Sequence, residues 1–80
     1  MSRPIMMTRL DYDRVVNRID RLGMTHAEVA KRMGRHPSSL SRMLRAAIEG
    51  KPVRIDSARL LADALGTRRG SVERRETARN

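Results

Sequence analysis

Cysteine, tryptophan and phenylalanine are absent from this 80-residue chain, and tyrosine occurs once. Without cysteine there is no disulfide framework and no thiolate metal site, and two lone histidines, His26 and His36, cannot furnish a zinc tetrahedron. No cofactor is expected. The longest apolar runs are only a few residues, and the first seven residues lack the hydrophobic stretch of a secretion signal. Neither a membrane span nor export is therefore expected, and the cytoplasm is the default location. Without Trp or Phe there is also little to anchor so basic a chain at a membrane surface. The length allows one small domain and leaves no room for an enzyme cleft with its scaffold. The scattered Ser, Asp and Glu show neither clustered carboxylates nor a nucleophile beside a base, so an enzyme acting on a small molecule is set aside.

What the chain has in excess is positive charge. Its formal net charge is +9, and of its 18 Lys and Arg only Lys31 and Lys51 are lysines. The guanidinium fork pairs bidentately with phosphate oxygens, so a polyanion is the natural partner. A GC-rich coding bias would raise Arg over Lys, but it does not account for the net charge. Residues 10–66 carry 11 basic and 7 acidic side chains (+4), residues 1–9 add +2, and residues 67–80 add 5 minus 2 (+3). Both ends read as basic arms.

Residues 1–9 hold a proline and no periodicity, and are expected to be an unstructured arm with the domain boundary near Leu10. From Tyr12, the apolar residues Val15, Val16, Ile19 and Leu22 recur at offsets of three and four. Asp13, Arg14, Asn17, Arg18, Asp20 and Arg21 fill the other face, which predicts an amphipathic helix stopped by Gly23. Thr25 and Glu28 then form a capping-box pattern, with Met24 and Val29 placed as a hydrophobic staple, so a second helix begins at His26. It ends at Gly34 after barely two turns. Pro37 stands at a first-turn position and opens a third helix, whose Leu40, Met43, Leu44 and Ala47 share one side while Ser38, Ser41, Arg42 and Arg45 share the other. Gly50 and Pro52 end it. Asp56 is the expected cap of a fourth helix with Leu60, Leu61, Ala64 and Leu65 as its apolar stripe, closing at Gly66. Beyond Gly66 only Val72 is large and apolar, and residues 67–80 are expected to be a disordered basic tail. No repeat and no strand-like alternation is evident.

Two short helices joined by a tight glycine-containing turn, the second with a polar basic face, are what a helix-turn-helix requires. Over twenty residues counted from His26, the fifth is Ala30 and the ninth Gly34. The fourth, eighth, fifteenth and eighteenth are Val29, Met33, Leu40 and Met43. Ala30 is small where the helices touch, Gly34 permits the turn, and the four apolar residues seal the pair against its neighbours. Met24, Met33 and Met43 read as core filler, since Met packs irregular gaps.

On these residues, the segment 12–66 resembles the phage repressor and Cro helix-turn-helix family, also called the XRE family. Thr25-His26-Ala27-Glu28-Val29-Ala30-Lys31-Arg32-Met33-Gly34 is similar to that family's second helix, and Ser39-Leu40-Ser41-Arg42 to the centre of its recognition helix. The resemblance covers about two-thirds of the chain. It implies an all-α, compact four-helix, lambda-repressor-like domain, with the family's fifth helix missing or vestigial, and flexible basic arms. The implied function is a sequence-specific double-stranded DNA-binding regulator, a repressor of phage, plasmid or prokaryotic origin, that can form a homodimer on a palindromic operator. Base contacts would fall to Pro37, Ser38, Ser41 and Arg42, with Arg42 the foremost because Arg reaching guanine O6 and N7 is the commonest specific contact. Phosphate contacts would fall to Thr25 and His26 at a helix start, Ser39 and Arg45 on the third helix, and Lys51 and Arg54 in the loop. The chain departs from the family where His26 replaces a common Gln and Arg35 a small or apolar residue. Where many members pair Arg with Glu, Ile19 and Leu44 stand, a joint exchange of an ion pair for an apolar contact. The third helix is also about one turn longer than usual.

Two other readings use the same residues. A protein-interaction module such as an antitoxin-like partner needs an exposed apolar patch or a folding tail, and residues 67–80 are poor in apolar side chains. An accessory DNA-binding protein without a fixed operator needs only the basic surface. For residues 67–80, with Glu73 and Glu76 among the arginines, a solubilising tail competes with one that tracks phosphates, and Arg3 beside Pro4 is a minor-groove candidate.

Overall fold

The computed structural model describes residues 6–74, and Arg3 and residues 75–80 of the expected arms lie outside them. The first helix, α1 (Tyr12–Leu22), starts where the extended Asp11 accepts a hydrogen bond from the Arg14 backbone N–H at 3.2 Å. It buries Val15 and Ile19. The second, α2 (His26–Met33), carries the full capping box: Thr25 Oγ1 accepts from Glu28 N at 3.1 Å, and Glu28 Oε1 accepts from Thr25 N at 2.9 Å. At eight residues α2 is too short to persist alone, so the burial of Val29, Ala30 and Met33 must hold it. The third helix, α3 (Pro37–Glu49), buries Leu40, Met43 and Leu44, and α4 (Ile55–Ala64) buries Ala58, Leu61, Ala62 and Ala64. These four helices make an all-α protein with one small addition.

That addition is a two-stranded antiparallel sheet, β1 (Met7–Thr8) with β2 (Val53–Arg54), in register Met7 to Arg54 and Thr8 to Val53. It corrects the expectation of no strands. Along an extended chain successive backbone groups face opposite edges. Met6 O accepts from Ile55 N at 3.0 Å on one edge. On the other, Arg9 O accepts from Arg74 N at 2.7 Å, Asp11 N donates to Val72 O at 2.8 Å, and Leu10 bridges Glu73. Residues 6–11 thus run between two segments from the far end of the chain. The Thr8 hydroxyl adds a bond to Glu73 Oε1 at 2.5 Å.

The expected arms are accordingly shorter than the sequence suggested. Of the segment 1–9, residues 6–9 are tied to the domain, and of 67–80, residues 67–74 pack on it, with a short 3-10 helix at Arg69–Val72 where a vestigial fifth helix was expected. The physical reason is burial: Val72 is 2% exposed and Leu10 2%, so two isolated apolar residues close the core from both ends. A smaller correction concerns α4. It begins at Ile55 with Arg54 as its extended N-cap and no side-chain capping bond, so Asp56 lies inside the first turn, where its charge suits the helix dipole.

The core joins all four helices, with Val15, Val29, Leu40, Leu61, Leu65 and Val72 its largest fully buried side chains. Ile19 and Leu44 are both buried in it, and Met33 and Met43 fill it from α2 and α3. Among the described residues no polar or charged side chain is buried. No helix among them is long and apolar enough to cross a membrane.

Candidate nucleic-acid interface

The turn between α2 and α3 spans residues 34–36. Gly34 takes φ +71°, a left-handed conformation that L side chains rarely adopt, and its N–H and that of Arg35 fold back to Lys31 O and Ala30 O, both at 3.0 Å. The chain reverses within three residues, and α3 starts at once because Pro37 needs no N–H partner at a first helical position. His36 supplies the cap: its Nδ1 accepts from Ser38 N at 3.1 Å and lies 2.9 Å from Ser38 Oγ. The sequence signal for this cap is the place of His36 directly before a proline at the first helical position.

α3 presents its polar residues outward as its spacing requires. Pro37, Ser38, Ser41, Arg42 and Arg45 are exposed, and Ser39 is half-buried on the flank. At 100° per residue the exposed side chains occupy one continuous arc opposite Leu40, Met43 and Ala47. Along one flank runs an open groove of about 390 Å³, where Ser39 and Arg42 of α3 meet Arg54 of β2 and Ser57 of α4. Arg35 from the turn also lines it, over a floor that includes Met33, Met43 and Val53. Arg35 and Ser57 were not among the expected contacts. Three guanidinium groups on one groove whose walls carry no carboxylate make a concentrated positive surface.

Three of the expected phosphate contacts are qualified by their surroundings. Lys51 Nζ pairs with Glu49 Oε1 at 3.2 Å, so its charge is partly spent within the protein. Thr25 and His26 are exposed at the start of α2, but the Thr25 hydroxyl oxygen already serves the capping box and the Glu28 carboxylate sits beside them. The bond from the Thr25 backbone N–H, then that involving the Thr25 hydroxyl, hold the Glu28 carboxyl below its ordinary range, with a smaller contribution from Arg32. A carboxylate held ionised there favours α2 while competing with an incoming phosphate. The free N–H groups of His26 and Ala27 are what the helix start retains for an anion.

Exposed polar side chains on a rigid helix, flanked by arginines and backed by an apolar core, can make hydrogen bonds to an edge and ion pairs to a polyanion. Among the described residues no group of three His, Asp or Glu is placed to hold a metal ion. No family model, no curated protein and no solved structure matches the chain.

Proposed function

We propose that the chain is a sequence-specific double-stranded DNA-binding regulator, a repressor in which α2 and α3 form a helix-turn-helix and α3 enters the major groove. The observation that carries this is the outward arc of α3, Pro37, Ser38, Ser41, Arg42 and Arg45, set on a helix whose opposite side is fixed by Leu40, Met43 and Leu44. A reading helix must combine both, since base-edge contacts need exposed polar groups held in register by a rigid backing. Arg42 is the specifying residue, through guanine O6 and N7. Pro37, Ser38 and Ser41 complete the edge contacts. Arg45, Arg54, Ser39 and Arg35 meet phosphates on either side, with the α2 start and Lys51 contributing less.

The test is binding of the purified protein to the DNA upstream of its own coding sequence, at two salt concentrations and with competitor DNA. A short protected site that survives competitor is expected, with a footprint whose length gives the number of protomers. Replacing Arg42 by Ala should weaken that binding by about 1–3 kcal/mol and leave the helical spectrum unchanged, because the side chain is exposed. Operator affinity equal to wild type in Arg42→Ala would remove α3 from the reading role.

A further inference from the structure

A second basic face lies on α1, and the reading of α3 makes no use of it. On α1, Arg14, Arg18 and Arg21 follow one another at spacings of four and three, which places them within about 60° on the helix surface. With Asn17 they form one wall of an open groove of about 300 Å³, and Thr67 and Ser71 form the other. Arg18 Nε donates to Leu65 O at 3.2 Å, and Arg32 from α2 donates to Ala64 O at 3.4 Å. Both guanidinium groups therefore gather at the C-terminal end of α4. Ser57, near the start of α4, lines the groove beside α3 instead, and Ser57 to Ala64 is about 10 Å of helix. The two basic surfaces thus adjoin different ends of α4.

We infer that this face is a second site for a nucleic-acid backbone, so that one protomer holds two DNA duplexes, on the premise that α3 reads the first. The chemistry of the groove selects phosphate over a protein partner. The groove is lined by three arginines with Asn17, Thr67, Ser71 and Val72 and by no carboxylate, so its charge is complementary to a polyanion. Arg14 to Arg21 spans about 10 Å along α1, enough to reach more than one phosphate of a single strand. Arg14 shares its charge with Asp11 at 3.6 Å, and the Arg18 bond uses Nε, leaving both terminal NH₂ groups as donors. Arg21 has no carboxylate partner among the described residues.

The experiment measures capture of a free labelled duplex of mixed sequence by a surface-immobilised duplex carrying the DNA upstream of the coding sequence, using the full chain. The double variant Arg14→Gln/Arg21→Gln spares Arg18, whose bond to Leu65 is structural. Wild type should retain the second duplex. The variant should bind the immobilised duplex yet capture less of the second, with a log–log salt slope of capture shallower by about 2. Capture by the variant equal to wild type overturns the inference, as does wild type that binds one duplex and never retains a second. Arg42→Ala separates the two ideas: a chain that binds no duplex at all sinks the α3 reading as well, whereas Arg42-dependent binding without capture sinks the second face alone.

Discussion

At the scale of single residues, the least replaceable polar contacts are short-range ones at helix starts. Glu28 shows this through its charge. Its carboxyl is held below the ordinary value of 4.5 in the folded chain, so its contribution is present above that value and is lost as the pH falls through the lower folded value. Melting wild type and Glu28→Ala in parallel between about pH 7 and pH 3 should show wild type ahead at neutral pH and the gap closing on acidification. A gap independent of pH would mean that the ionised carboxylate is not what supports α2. Pairwise features of this kind were legible in the sequence because both partners lie within one turn, Thr25 and Glu28 being three apart. Ile19 and Leu44 are both buried in the common core, as the apolar periodicity of their helices required. The capping role of His36 was missed because imidazole is an unusual cap, and only the proline after it marks the position.

At the scale of elements, α1, α2 and α3 could be bounded from sequence because each is closed by a glycine and carries an apolar stripe of its own. The glycine that closes α2 yields a direct test. A methyl group at Gly34 meets nothing within 4 Å, so only the left-handed backbone at φ +71° opposes it. Gly34→Ala should therefore lower stability by about 1–2 kcal/mol, seen as a lower urea midpoint with an unchanged slope. An unaltered midpoint would show that the turn tolerates relaxation. α4 was less legible, since Asp56 looked like a cap while the helix starts a residue earlier, its first N–H drawn to Met6 O. The strands could not be seen at all. A two-residue strand has no alternation to detect, and its pairing depends on residues far along the chain. The outward arc of α3 was legible from its period, but the groove beside it was not, because Arg35, Arg54 and Ser57 belong to three different segments.

At the scale of the whole molecule, stability rests on segments that composition alone assigned to solvent. In a small domain of about 5–15 kcal/mol total stability, burying one Val is worth about 1.5–3 kcal/mol. A chain ended at Thr67 loses Val72 and its backbone pairing with Asp11, and should melt at least about 8 °C lower by calorimetry. An unchanged melting temperature would assign the whole core to the helices. The same arrangement governs when the protein can be completed. Thr8 leaves the ribosome 65 residues ahead of Glu73, its hydrogen-bond partner. At about 5–20 residues per second, the strand 6–11 emerges several seconds before the segment that covers its second edge. During that interval α2 and α3 have already been made, but α2 is too short to persist until its buried side is covered, so the surface proposed to meet DNA takes shape only as the last segments arrive.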